Sequence, residues 1–234
     1  MTRPSWPRRR AGSARRWSAS TWPISPRPTA FPSVAGSERI SSGRRRTIGV
    51  LALQGDVGEH ERILGVLGAR TTRVRRPEDL ARIDGLVLPG GESTTIDRLA
   101  RAFGVRDTLV ARIRDGLPVF ATCAGMILLA DRILGGIRDQ QTFGGLDVTV
   151  RRNAFGRQNQ SFETELSVRV LGEPPVRAVF IRAPVIEDPG RATPLAALDD
   201  GRIVAVEQGA LLATAFHPEQ TGETRFHERF LAAT

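Results

Sequence analysis

The sequence predicts an α/β protein built on an open, mixed and mostly parallel central sheet with helices on both faces. Three observations predict it. Short apolar runs alternate with helical patterns through the stretch 48–129. The runs are continuously apolar, as strands buried on both faces are. Each run ends in a loop of small or turn-forming residues (Gln54-Gly55, Pro89-Gly90-Gly91-Glu92-Ser93 and Cys123-Ala124), and open parallel sheets gather such loops at the carboxyl ends of their strands.

The elements follow in order. Residues 48–53 form the first buried strand, and Gln54-Gly55-Asp56 turns the chain. Residues 59–67 place Ile63, Leu64 and Leu67 on one helical face, and Gly68 closes that helix. Residues 72–75 read as a more exposed strand, and 85–88 as another buried one. Helical patterns cover 95–103 and 105–115, and Gly116-Leu117-Pro118 breaks them before the apolar run into Cys123. A helix should begin just after the cysteine. The second half changes character: 146–151, 165–170, 178–182, 203–206 and 211–216 read as strands with short polar links, an antiparallel or mixed extension of the sheet. A closing helix covers 221–232, where Phe226 and Phe230 stand four apart, and places His227 at the surface.

Charge is distributed unevenly. The net charge is +9, but residues 1–46 hold 11 arginines and one acid, so the remainder is close to neutral. This leading segment is rich in Arg, Pro and Ser and lacks helical periodicity; it reads as a disordered extension preceding a domain over 47–234, with a start codon assigned too far upstream as its simplest origin. It has no apolar core of the kind a secretory signal needs, and no run approaches the roughly 20 apolar residues of a membrane span. A single cysteine fits a reducing, cytoplasmic setting and excludes an internal disulfide or a multi-cysteine metal site.

Cys123 therefore has two readings: a small buried hydrophobe, or a nucleophile at a strand-to-helix corner where the helix N-terminus favours the thiolate. A nucleophile needs a base and a group to orient it. Of the three histidines, His60 lies on the first helix and points sideways from the strand edge. His217 follows a strand directly and is followed by Pro218-Glu219, which makes Cys123, His217 and Glu219 a candidate triad. The Gly90-Gly91 pair is either a plain turn or a source of bare N–H groups for an oxyanion. A Walker phosphate loop is excluded, because the chain contains no lysine; a dinucleotide fingerprint is missing after the first strand.

Thr122-Cys123-Ala124-Gly125, Leu88-Pro89-Gly90-Gly91-Glu92-Ser93 and His217-Pro218-Glu219 together resemble the class I, triad-type glutamine amidotransferases. Gly49-Val50-Leu51-Ala52-Leu53-Gln54-Gly55, Gly91-Glu92-Ser93-Thr94-Thr95, Arg152-Asn153-Ala154-Phe155-Gly156-Arg157-Gln158, Ser161-Phe162-Glu163 and Phe180-Ile181-Arg182-Ala183-Pro184 are similar to one branch, the glutaminase subunits of pyridoxal 5′-phosphate synthase. The resemblance implies an open three-layer flavodoxin-like fold. It also implies glutamine hydrolysis through a γ-glutamyl thioester on Cys123, with His217 as base and acid and Glu219 orienting it. The oxyanion would be held by N–H groups at Gly91 and Ala124. Gly91, Glu92, Ser93, Arg152, Ile181 and Arg182 match glutamine-contacting positions. No metal or cofactor is implied. The implied partner is a (β/α)₈ synthase subunit, in a complex with many copies of each chain. It takes the ammonia, joins it to ribose 5-phosphate and glyceraldehyde 3-phosphate, and activates the glutaminase when it docks near the Gln54-Gly55 loop. Ala121, Gly58 and Gln220 depart from the branch's pattern, and residues 1–46 have no counterpart in it.

Other readings are an amidotransferase of the histidine route, a cysteine hydrolase on the same fold, and a basic-tailed nucleic-acid-binding protein. The charge count bears on the last: any salt-sensitive RNA binding by the full chain should vanish on deletion of residues 1–46, as a filter-binding titration at two salt concentrations would read.

Overall fold

The computed structural model describes residues 45–155 and 161–234, so nearly all of the expected N-terminal extension lies outside the described residues. The chain enters at β1 (Thr47–Leu51), crosses α1 (Val57–Val66) to β2 (Arg70–Val74), and returns through a 3-10 turn (Pro77–Arg82) to β3 (Gly85–Leu88). Then α2 (Ser93–Ala102) and α3 (Arg106–Arg114) lead to β4 (Val119–Thr122), and α4 (Ala124–Leu129) runs directly into β5 (Ala130–Leu134). The strands β6 (Leu146–Arg151), β7 (Ser161–Leu166), β8 (Val176–Ile181), β9 (Val185–Asp188), β10 (Thr193–Ala197), β11 (Ile203–Gln208) and β12 (Leu211–Thr214) follow. Two helices close the chain, α5 (Pro218–Thr221) and α6 (Arg225–Ala232).

Ten strands form one sheet in the order β2-β1-β3-β4-β12-β11-β9-β6-β5, with β10 alongside β11; β7 and β8 make a separate antiparallel pair. The block from β2 to β12 is parallel throughout, and the strands beyond it are mostly antiparallel. This is the mixed, mostly parallel sheet that the sequence predicts. The connection from β1 to β2 and that from β3 to β4 run in opposite directions along the sheet. Right-handed crossovers then put α1 on one face and α2 with α3 on the other. Between β1 and β3 the order reverses, the topological switch point of such sheets, and the loops after these two strands meet there.

The core strands carry no exposed side chain. β3 and β4 are buried at every residue, in keeping with sequences that are apolar but for Thr122, whose hydroxyl is hydrogen-bonded. Phe120 stacks on Phe226 and lies 6.1 Å from Phe230, which fastens α6 to the sheet. A methyl group on Gly125 would stand 2.0 Å from the Leu88 carbonyl oxygen, so the small residues after the cysteine let α4 lie against β3.

Three strands escape the sequence reading, and each has a physical reason. β5 reads Ala-Asp-Arg-Ile-Leu because it is the outer strand of the sheet; Asp131 and Arg132 face solvent. β10 contains Pro194, tolerated because only one of its sides is paired. β9 is short, with only two buried residues. The strand expected over 165–170 ends instead at Leu166, and a 3-10 turn follows at Arg169–Leu171. The expected closing helix is interrupted at Gly222, whose left-handed backbone (φ 73°) ends α5.

Phe230 is 1% exposed and fills the space beside Gly85. Phe230→Ala should lower the unfolding free energy by about 3–5 kcal/mol, read in urea as an earlier midpoint with an unchanged slope.

Candidate active site

Cys123 sits between the last residue of β4 and the first of α4, with φ 47° and ψ −103°. A non-glycine residue held in such a conformation costs about 1–3 kcal/mol and needs its surroundings to enforce it. Here the Cys123 N–H donates to the Thr214 carbonyl at 2.8 Å, and its carbonyl accepts from the Ile127 N–H at 3.3 Å. Cys123 is 6% exposed, with Sγ 4.0 Å from the Ile181 carbonyl oxygen.

Thr214 pairs with Thr122 across the β12–β4 ladder, so the chain leaving β12 reaches the same edge as Cys123. Pro218 stands at the first position of α5, where its missing N–H costs nothing and its ring sets the turn. His217 is thereby the residue before the helix, and its N–H is tied to the Val179 carbonyl at 3.0 Å. Its Nδ1 lies 2.7 Å from Glu219 Oε1 and 3.3 Å from Asp56 Oδ2. With Nδ1 so engaged, Nε2 is the nitrogen available to the thiol. Burial opposes the imidazolium, but hydrogen bonds to Asp56, Cys123 and Glu219 outweigh it and raise His217 well above its ordinary range. Burial pushes the Glu219 carboxyl up, partly offset by His217. The His217 hydrogen bond holds Asp56 down. Asp56, His217 and Glu219 offer atoms within 4.8 Å of one another. Both carboxylates face the same Nδ1, an arrangement that orients an imidazole and accounts for their closeness without an ion.

The Pro89–Ser93 loop packs against this group. A methyl on Gly90 would stand 2.3 Å from His217 Cε1, so only glycine lets the imidazole approach. The Gly90 N–H donates to Thr122 Oγ1 at 3.0 Å, and its carbonyl accepts from Asp56 N–H at 3.3 Å. Gln54 Oε1 accepts the Glu92 N–H at 2.7 Å, which joins the loops after β1 and β3. The three loop ends expected at one edge are thus in contact. The N–H groups of Gly91 and Ala124 make no hydrogen bond among the described residues.

Glu92 caps α2 by accepting from the Thr94 and Thr95 N–H groups. Partial burial raises its carboxyl, but the hydrogen bonds from Thr94 and Thr95 win and hold it at about 2. Arg152 is mostly buried; Nη2 donates to Glu92 Oε1 at 3.0 Å and Nη1 to Gln140 Oε1 at 2.6 Å, while Nε is buried without a partner among the described residues. Ser93 Oγ accepts from Gln140 Nε2 at 3.0 Å. Glu92, Ser93 and Arg152 therefore form one group, bridged by Gln140. The Ile181 carbonyl faces the thiol, and Arg182 follows with an exposed side chain and a left-handed backbone (φ 46°). Residues 156–160, including Arg157 and Gln158 of the quoted motif, lie outside the described residues.

Sequence reasoning left out Asp56 and Gln140, which lie far along the chain from the residues they touch. It also misplaced two histidines. His227, expected at the surface, is fully buried, and His60 points into the interior beneath Thr122 and Glu219. The signal for His227 was available: it lies next to Phe226 and three before Phe230, on the face of α6 that meets the sheet.

Among the described residues no helix is long and apolar enough to cross a membrane. The model of the SNO glutamine amidotransferase family matches residues 50–234. A pyridoxal 5′-phosphate synthase subunit PdxT from Clavibacter michiganensis is 60% identical over 199 residues, which cover 85% of this chain and 95% of that protein. The protein of the same name from Streptomyces coelicolor is 61% identical over 183 residues, covering 78% of this chain and 91% of the relative. A crystal structure described as a glutamine amidotransferase superposes with a TM-score of 0.74 at 47% identity, covering 80% of this chain and 99% of that one. A glutamine amidotransferase from Thermotoga maritima, 16% identical, superposes with a TM-score of 0.53 over 80% of this chain and 82% of its own, and so shares the fold. From the strand order of the sheet to the sequence relatives, the observations agree: the chain belongs to the SNO glutamine amidotransferase family.

Proposed function

We propose that the chain is the glutaminase subunit of a pyridoxal 5′-phosphate synthase, with residues 47–234 as its amidotransferase domain, residues 1–46 as an extension preceding it, and the cytoplasm as its place of work. The observation that carries the chemistry is the His217 imidazole, with Nδ1 held by a buried carboxylate at 2.7 Å and the Cys123 thiol among the groups that favour its positive state.

In the reaction, the thiol proton passes to His217 Nε2 and Sγ attacks the side-chain carbonyl carbon of glutamine. The tetrahedral oxyanion is held by the N–H groups of Gly91 and Ala124, preorganised donors at the point where charge develops. The C–N bond breaks, His217 gives its proton to the leaving nitrogen, and ammonia departs from a γ-glutamyl thioester. Water, deprotonated by His217, attacks the thioester carbonyl; the C–S bond breaks and glutamate leaves, the thiol regaining its proton. Glu219 orients the imidazole and supports its positive state. Arg152 takes the substrate α-carboxylate, for which its planar guanidinium is suited. Glu92, Ser93 and the Ile181-Arg182 turn line the rest of the substrate's place.

Relatives named as PdxT subunits of the synthase, at about 60% identity, support a partner subunit as well as the reaction; the proposed partner is a synthase subunit that receives the ammonia, in an assembly of several copies of each chain. The Gln54–Asp56 loop touches both the oxyanion loop and His217, and docking against it would alter both at once.

Glutamate release from glutamine should be slow for the chain alone and stimulated by the synthase subunit. Cys123→Ala should abolish it, a loss of at least about 10⁴-fold; unchanged release by that variant, or no gain with the synthase, would overturn the proposal. Gln140→Leu frees Arg152 and Ser93 from each other, so it should raise KM for glutamine about tenfold with kcat nearly unchanged, read in the same steady-state assay.

A further inference from the structure

We propose that His60 is a positioning residue of the reaction: from beneath the site, one neutral imidazole holds the far oxygen of Glu219 and, through Thr122, the Gly90 end of the oxyanion loop. The proposal rests on the glutaminase reading of Cys123, His217 and Glu219.

Glu219 is fully buried, and only Oε1 faces His217. Oε2 has no hydrogen-bond partner among the described residues, an expensive state for a carboxylate oxygen. His60 Nε2 stands 3.7 Å from that oxygen and 3.3 Å from Thr122 Oγ1. Thr122 Oγ1 in turn accepts the Gly90 N–H. On the other side of the ring, His60 Nδ1 lies 2.9 Å from His227 Nε2. Phe120 meets both imidazoles edge-on, at 89° and 87° between planes, and so sets their orientation.

The groups facing His60 are therefore Thr122 and Phe120 from β4, Glu219 from α5 and His227 from α6, with His217 the nearby charge. Burial, with the neighbouring His227 and His217, pushes His60 well below its ordinary value, and burial brings His227 down to about 4, so both rings are neutral at pH 7. A neutral ring has one N–H. In the proposed tautomer pair, His227 Nε2–H donates to His60 Nδ1, so that the His60 proton is on Nε2, the nitrogen that faces Thr122 Oγ1 and Glu219 Oε2.

The consequence for the reaction follows from acidity. A donor at Oε2 stabilises the anion and leaves the shared proton on His217 Nδ1. Without it the carboxylate is hungrier for a proton, the proton moves towards Oε1, and His217 loses the positive state from which it protonates the leaving nitrogen. The Gly90 N–H anchor loosens at the same time.

The test compares His60→Leu, which removes the donor, with His60→Gln, whose Nε2 reaches a similar place. Glutaminase activity is measured on the full chain with the synthase subunit. Histidine-labelled chain alone gives the ¹⁵N titration of His217, a reading that needs no turnover. His60→Leu should lower kcat at least about tenfold with KM within about twofold, the pattern of an interaction made in the transition state. It should also lower the His217 midpoint by about one unit or more, and His60→Gln should restore most of both. Wild-type kcat in His60→Leu, equal losses in the two variants, or an unmoved His217 midpoint would overturn the proposal. If circular dichroism shows His60→Leu unfolded, His227→Phe decides instead: it frees the His60 tautomer and should lower kcat and the His217 midpoint in the same direction, and no change in either would overturn the proposal. Failure of the wild type to release glutamate would sink the glutaminase reading, while the His217 titration would still judge His60.

Discussion

The parallel pairing of β4 with β12 is the contact on which the site depends. β12 enters the sheet beside β4 after a long excursion through the antiparallel half of the chain, and the register sets Thr214 opposite Thr122. The Thr214 carbonyl then receives the Cys123 N–H and holds the cysteine in its strained corner. Three residues beyond Thr214 the same strand delivers His217. One ladder therefore supplies both the backbone that presents the thiol and the chain that presents the imidazole. The strain at Cys123 is offset mainly by the surrounding sheet, since a six-residue helix contributing one hydrogen bond from Ile127 could not enforce it alone.

Much of this was legible in the sequence, because the parallel half of the sheet is written in its least ambiguous form. Strands such as Gly85–Leu88 and Val119–Thr122 are apolar but for the closing threonine of the second, and each stops at a loop whose composition has few structural uses. Cys123, His217 and Glu219 could be put forward as a group because two of them share a turn and the third is the chain's one cysteine. The strands that escaped are those whose residues answer to solvent or to a single neighbour: Asp131 and Arg132 on β5, Pro194 on β10. Asp56 and Gln140 escaped for another reason. Each gains its meaning from a partner remote in sequence, His217 for one and Arg152 with Ser93 for the other, and local pattern carries no trace of such meetings.

The histidines show how pattern reading fails at buried polar positions. His60 lies on the inner face of α1 among Ile63 and Leu64, and His227 lies between Phe226 and Phe230, both positions that amphipathic logic would assign to aliphatic side chains. A buried imidazole is unfavourable unless its nitrogens are engaged. Here the two rings engage each other, Thr122 and the neighbourhood of Glu219, and their neutrality spares the interior a second charge beside His217. The polar layer under the site is thus continuous with the site itself, and α1, α5 and α6 meet there.

The outer strands of the sheet bear on how the chain behaves at high concentration. An unpaired strand edge invites another copy to add on, with hydrogen bonds as the reward. β2 exposes Arg70 and Arg73 along its sequence, and β5 exposes Asp131 and Arg132. A second copy adding to β2 in register would set arginine beside arginine, and Arg73 is already paired with Glu61 of its own α1. The same charges that hid β5 from the sequence pattern thus discourage another copy from adding at either end of the main sheet.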